Sequence, residues 1–197
     1  MGRRARWMRI IAGEARGTRL DVAGGSPTRP FLEMARGALF NSLAARVAGA
    51  RALDLYAGSG ALGLEALSRG ARSAVFVERD RAALAALRDN IRRCGYQAEA
   101  RVVAGDAMAV PETLAGEFDL VFVDPPFPGP PAWAENGDDV RLGGALAGIL
   151  APDGIVVLRL EGKTARPPAW DGLVPGRGRR YGRSGIYMYA RSAGESR

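Results

Sequence analysis

The sequence predicts an α/β fold, a doubly wound and mostly parallel sheet covered by helices on both faces. Three observations carry this. From residue 50 the chain passes through strand, glycine turn, helix and strand, and the cycle then repeats, the order that builds a parallel sheet with helical crossovers. The strand segments are short apolar runs that stop at turn residues or acids, as in "FDLVFVDPPF", the pattern of strands buried on both faces. The chain has 197 residues and is 47% hydrophobic, enough for one ordinary domain with a real core.

Taken in order, "MRIIAGEARGTRLDV" (8–22) alternates around a Gly-rich middle and reads as a short hairpin, an N-terminal appendage. Residues 1–25 are therefore read as a basic extension with a hairpin, 26–192 as the main domain and 193–197 as a flexible tail. "PFLEMARGALFNSLAARV" (30–47) places Phe31, Met34, Ala35, Ala38, Leu39, Leu43 and Val47 near helical spacing, with Pro30 suited to a first turn. Its first task is core packing. "RALDLYAG" and "SAVFVE" are strands around the helix "ALGLEALSRG", and a second helix runs from Arg81 to about Cys94, with Gly95 placed to end it. The strands "ARVVAGDA" and "FDLVFVD" follow. After a loop at 127–139 come a helix near 140–150, the strand "GIVVLRLE" (154–161) and a closing pair near 172–175 and 185–190.

Composition excludes several function classes. No stretch approaches the ~18 apolar residues of a membrane span, and the start "MGRRARW" lacks the apolar segment of a secretory signal; a cytoplasmic protein with no membrane partner is expected. One cysteine, Cys94, allows no internal disulfide, and the absence of histidine removes the usual metal ligand and general base together. Metal chemistry and Ser-His-Asp hydrolysis are not expected. The net charge of +7 sits at the two ends: residues 1–29 hold seven Arg against two acids, as do residues 166–197. Clustered arginine fits a polyanion such as nucleic acid. Because Lys163 is the only lysine, a coding bias toward arginine is the plain alternative.

The motif "LDLYAGSGALG" sets Gly58, Gly60 and Gly63 in G-x-G-x-x-G spacing between a strand and a helix, the context in which glycines let backbone approach a nucleotide-like ligand. By itself such a turn can be only good strand-to-helix packing. Glu78 ends the next strand 20 residues after Gly58, where an acid accepts hydrogen bonds from ribose hydroxyls. Asp106 ends the third strand at the same sheet edge, where ligands of such folds bind, although each acid could instead cap a helix.

Asp124, Pro125, Pro126 and Phe127 end the fourth strand, which neighbours the first in doubly wound sheets. An exocyclic amine on a nucleobase is a poor nucleophile because its lone pair is delocalised into the ring, and acceptors aimed at its N–H groups localise that pair. Asp124 accepts only, at neutral pH, and the Pro125 carbonyl is a second acceptor held by two restricted residues. Phe127 would stack on the base, worth about 1–3 kcal/mol. Orienting amine and electrophile contributes up to roughly 7–11 kcal/mol, against about 1 kcal/mol for a typical hydrogen bond, so catalysis is read as positioning. A turn that merely ends a strand is the competing reading of D-P-P-F.

These residues resemble the S-adenosylmethionine-dependent methyltransferases, specifically the bacterial 16S ribosomal RNA (guanine(966)-N2)-methyltransferase family. The resemblance runs from about Met8 to Arg191 on "MRIIAGEARGTRL", "TRP", "ALFNSL", "LDLYAGSGALGLEALSRGA", "FVERD", "GDA", "FDLVFVDPPF" and "YGRSGIYMYAR". It implies a Rossmann-like class I methyltransferase with seven strands, the last antiparallel. It further implies methyl transfer from S-adenosylmethionine to the N2 amine of a guanine in 16S ribosomal RNA or a small-subunit assembly particle, by a monomer whose N-terminal hairpin touches RNA. Asp54, Tyr56, Gly58, Ser59, Gly60, Glu78, Arg79, Asp106 and Ala107 would bind the cofactor: Gly58 and Gly60 along the methionine part, Glu78 at the ribose, Asp106 with Ala107 at the adenine. Asp124, Pro125, Pro126 and Phe127 would hold the amine. The chain departs from the family where "FLEMARGALFN" keeps Arg36 but sets Gly37 where a glutamate is expected, and in the Pro-rich loop containing Trp133.

Four rivals follow from the same residues. A nicotinamide enzyme would use the glycine turn and Glu78 but gives no reason for D-P-P-F. A DNA adenine-N6 or cytosine-N4 methyltransferase shares D-P-P-F, yet the chain shows no separate target-recognition domain. A catalytically silent RNA-binding module would explain the departure at Gly37. Methylation of a base carbon would need a nucleophilic cysteine, and Cys94 lies at a helix end.

Overall fold

A computed structural model describes residues 7–23, 33–126, 138–161, 167–176, 178–182 and 184–192. In chain order its elements are β1 (Trp7–Arg9), β2 (Arg19–Asp21), α1 (Glu33–Ser42), β3 (Arg51–Leu55), α2 (Ala61–Ser68), β4 (Ser73–Glu78), α3 (Arg81–Cys94) and β5 (Ala100–Ala104). Then follow β6 (Phe118–Val123), α4 (Asp138–Ile149), β7 (Leu150–Glu161), β8 (Leu173–Pro175), β9 (Arg179–Tyr181) and β10 (Ser184–Arg191).

The main sheet runs β5-β4-β3-β6-β7-β10-β8, with β9 also paired to β10. Strands β5, β4, β3, β6 and β7 are parallel neighbours, and β10 is antiparallel to β7, β8 and β9. The seven expected strands are thus present with an antiparallel final strand, and β9 is an addition. Only three residues long and carrying Arg179 and Arg180, it has no apolar run to announce it; the turn at Gly182, with φ of 59°, folds it back onto β10. From β3 the chain winds outward to β5 and then returns to the other side of β3 as β6. The carboxyl ends of β3 and β6 therefore border the switch point, where such sheets open a crevice.

Successive strand residues face opposite sides, and the core divides accordingly. Ala52, Phe76, Leu120, Phe122 and Val157 pack beneath α1, α2 and α3, while Leu53, Leu55, Val77, Val121, Val123 and Leu158 pack against Leu142 and Leu146 of α4 and against Trp170. Helix α3 begins and ends as expected. The Asp80 side chain accepts from Ala83 N at 2.8 Å, and Gly95, with φ of 81°, closes the last turn.

Helix α1 corrects one expectation. Met34, read as a core residue, is 76% exposed, and the buried side passes instead through Ala35, Arg36, Leu39 and Phe40. Arg36 is fully buried because charge meets it there: Glu65 lies 3.8 Å from its Nε, and the carbonyl of Arg9 accepts from its guanidinium. A hydrophobic pattern cannot flag a buried arginine. Pro30 and Phe31 lie outside the described residues.

The β1–β2 hairpin, expected as an appendage, docks on α2 and α3. Both Glu65 oxygens accept backbone N–H groups, from Ile11 at 2.8 Å and Ala12 at 3.1 Å, while Arg69 donates to Glu65 at 2.8 Å. A buried carboxylate satisfied in this way stabilises only while its partners remain. Met8, Ile10 and Leu20 join the core cluster. Gly13 lies so close to α2 that a side chain there would run into the carbonyl of Ser68.

Candidate active site

Strand β3 runs into a turn in which Tyr56, Gly58 and Gly60 all have positive φ, at 60°, 55° and 79°. Glycine takes that conformation freely; Tyr56 stores strain of about 1–3 kcal/mol. The three glycines of the motif do different work. Among the described residues a Cβ on Gly58 would have only the Tyr56 carbonyl near it, at 3.9 Å, so on that side this backbone is open. On Gly60 it would sit 2.5 Å from Leu87, and on Gly63 2.3 Å from the Phe76 ring. Those two serve close packing of α2 on the sheet and on α3.

Strand alternation puts the acids on one face. Asp54 shares the side of Ala52, Glu78 that of Phe76, and Asp124 that of Phe122, all beneath α2 at the carboxyl edge. Asp54 is buried and accepts from Gly63 N at 2.8 Å, tying the strand to the first turn of α2. Burial pushes its carboxyl well above the usual range, the hydrogen bond from Gly63 opposes this, and the charges of Asp124 and Glu78 push it further up. In the strand register Asp54 lies opposite Phe76 and Phe122, two residues before Glu78 and Asp124.

Glu78 organises the turn. Its Oε2 accepts from Gly58 N at 2.8 Å, and its Oε1 accepts from Arg79 N at 2.7 Å and Asp80 N at 2.8 Å. A carboxylate offers about four acceptor sites, so Oε2 retains capacity for a ligand hydroxyl. After β5, Asp106 accepts from Met108 N at 2.9 Å and pairs with Arg79 at 3.2 Å, while Ala107 is buried. Ser59 is buried and its carbonyl accepts from Asn90 at 2.9 Å. Asp124, Pro125 and Pro126 follow β6 directly; Phe127 and Trp133 lie outside the described residues. Among the described residues no group of acids, histidines and cysteines is placed to hold a metal, and no helix is long and apolar enough to cross a membrane.

Cys94 ends α3, a helix that begins at the carboxyl edge of the sheet and runs away from it. Half-buried against the cluster that holds the N-terminal hairpin, its thiol is pushed up to about 11 by burial, so almost none of it is thiolate near neutrality.

Two residues escaped the sequence reading. Arg159 of β7 donates from Nε to Asp124 Oδ1 at 2.5 Å; the signal was a charge inside the otherwise apolar run "GIVVLRLE". Asn90 of α3 is fully buried, bonds both the N–H and the carbonyl of Asp21 on β2, and donates to Ser59 of the glycine turn. Its signal was an asparagine at helical spacing from Leu87 and Ala83, on the apolar side of an amphipathic helix. Among the described residues nothing lies within 4 Å of where a Cβ on Gly37 would stand.

The chain is similar to known proteins along most of its length. A family described as conserved hypothetical protein 95 matches residues 8–190. YlbH of Bacillus subtilis, provisionally assigned as an rRNA methyltransferase, is 32% identical over 190 residues, 92% of this chain and 98% of that one. Ribosomal RNA small subunit methyltransferase D of Escherichia coli is 44% identical over 120 residues, 61% of this chain; the match spans only 60% of the relative's length. The solved structure of the Escherichia coli protein yhhF, provisionally assigned as a methyltransferase, superposes with a TM-score of 0.81 at 35% identity, covering 96% of this chain and 100% of that one.

Proposed function

The chain belongs to the conserved hypothetical protein 95 family, and on that footing we propose that it transfers a methyl group from S-adenosylmethionine to the exocyclic N2 amine of a guanine in 16S ribosomal RNA. The observation that carries this reading is the placement of Asp124 and the Pro125 carbonyl directly after β6, beside the strand that feeds the open glycine turn. The names of the relatives support ribosomal RNA of the small subunit as the substrate.

The residues present fit the cofactor. Among the described residues the backbone at Gly58 is open, Glu78 has acceptor capacity beside it, and Glu78 and Asp124 supply carboxylates suited to a cation. Gly58 and Gly60 would lie along the methionine part with Asp54, Tyr56 and Ser59 around the turn, Glu78 at the ribose, and Arg79, Asp106 and Ala107 toward the adenine. When bound, S-adenosylmethionine supplies an electrophilic methyl: the N–C bond forms as the C–S bond breaks, and that bond's pair stays on sulfur.

The chain's own part is orientation. Asp124 and the Pro125 carbonyl accept from the two N–H groups of the amine and keep its lone pair on nitrogen and aimed at the methyl, while Phe127 stacks on the base. The surplus proton on nitrogen leaves through Asp124 to water. Alignment of this kind is worth far more than the hydrogen bonds that impose it.

Two measurements test the reading. Mass mapping of 16S ribosomal RNA from cells lacking this chain should show loss of one N2-methylguanine; loss of a methyl elsewhere, or none, overturns the substrate. Asp124→Ala should abolish methyl transfer with cofactor affinity changed no more than about twofold by calorimetry. Undiminished turnover, or tighter binding of NAD than of S-adenosylmethionine, overturns the chemistry.

A further inference from the structure

We propose that Arg159 is a positioning residue for the transfer: by clamping Asp124, it fixes the orientation in which that carboxylate meets the target amine. This rests on the role given to Asp124 above. Val123 of β6 lies opposite Leu158 of β7 in the parallel register, so the next residues, Asp124 and Arg159, stand side by side on the face beneath α2. Arg159 Nε reaches Asp124 Oδ1 at 2.5 Å, with the two side chains only 10% and 19% exposed. Its Nη1 reaches Ser184 Oγ on β10 at 3.4 Å, which ties the guanidinium to a third strand.

A carboxylate on a freely turning χ2 would present its oxygens to the amine in many orientations. A planar guanidinium fixed at both ends removes that freedom, because its donors lie in a rigid fork. With Oδ1 held by Arg159, the plane of the Asp124 carboxylate is fixed relative to the backbone that also carries the Pro125 carbonyl. Two acceptors on adjacent residues then hold a fixed relation, as two N–H groups on one nitrogen require. The cation also offsets the charge of Asp124, with which it pairs. At two strands' remove from the glycine turn, Arg159 acts through Asp124 and not on the cofactor.

The test is single-turnover methyl transfer from methyl-labelled S-adenosylmethionine to small-subunit particles isolated from cells lacking this chain. Arg159→Gln should lower the rate at saturating substrates by about 10- to 100-fold, the size of effect that loss of alignment gives, with cofactor affinity unchanged by calorimetry. In an Asp124→Asn background, already slow, the same substitution should cost nothing more, because its effect runs through the carboxylate. An equal loss in both backgrounds, or no loss with wild-type Asp124, overturns the inference. Arg159→Lys keeps a cation without the fork and should lose less; if Arg159→Gln does not fold, a Lys variant with wild-type rate overturns the orienting role. Should Asp124→Asn itself leave the rate unchanged, it is the function proposed for the site that fails and not this inference alone.

Discussion

At the scale of single residues, the site depends on carboxyls whose surroundings differ. Asp54 holds α2 to β3 through Gly63 and is pushed up by burial, whereas Glu78 spends its oxygens on three backbone N–H groups. The Asp54 shift has a consequence for stability. An acid raised in the folded state is protonated there when the unfolded chain has already lost its proton, so stability falls as pH rises from the unfolded value to the folded one. An asparagine in its place would accept the same Gly63 N–H without titrating. Asp54→Asn is therefore expected to gain stability relative to wild type as pH rises from about 4 toward neutrality, and to gain none below that. Thermal midpoints of the two proteins across that range check it; a constant difference at all pH values would refute it.

At the scale of elements, the glycine turn is held in place by packing of α2 on the sheet. Gly63 permits the closest approach, with Phe76 beneath it, and all eight residues of α2 are buried. Gly63→Ala should destabilise the fold by about 1–3 kcal/mol through overpacking, read from denaturant midpoints at unchanged slope. Gly58→Ala has room but the wrong φ; its Cβ would enter the open side of the turn. The elements themselves were legible in advance where a period or a cap announced them. Helix α3 shows this best, because Asp80 and Gly95 bracket an amphipathic run. Strand β9 and the buried edge of α1 were not legible, since a three-residue strand has too few residues for a period and Arg36 counts as surface in any hydrophobic pattern.

At the scale of the whole molecule, the β9–β10 hairpin has a place in the proposed function. Strand β9 pairs with Ser184, Gly185 and Ile186, and Ser184 lies opposite Glu161 at the carboxyl end of β7. The exposed Arg179 and Arg180 thus stand at the same sheet edge as Asp124 and Arg159. Replacing Arg3, Arg4, Arg179 and Arg180 together with Gln should weaken RNA binding and flatten its dependence on salt, by up to roughly 0.7–0.9 in log-log slope for each phosphate no longer neutralised. An unaltered slope would mean that these charges are only solvated. Arg3 and Arg4 lie outside the described residues. At the other end of the site, Asn90 joins the N-terminal hairpin to the glycine turn, so a segment read as an appendage shares a hydrogen-bond network with that turn.

The order of the seven expected strands and their helices, the glycine turn, and the acids Glu78, Asp106 and Asp124 at strand ends were legible in the sequence alone, because period, turn chemistry and caps are local and depend on neighbours a few residues apart. Tertiary structure decided which of those ends meet and what each is bonded to: the pairing of Arg159 with Asp124, the ion pair of Arg36 with Glu65, and the link through Asn90. Each joins residues far apart along the chain, and a polar side chain carries no local mark of the distant partner that allows it to be buried.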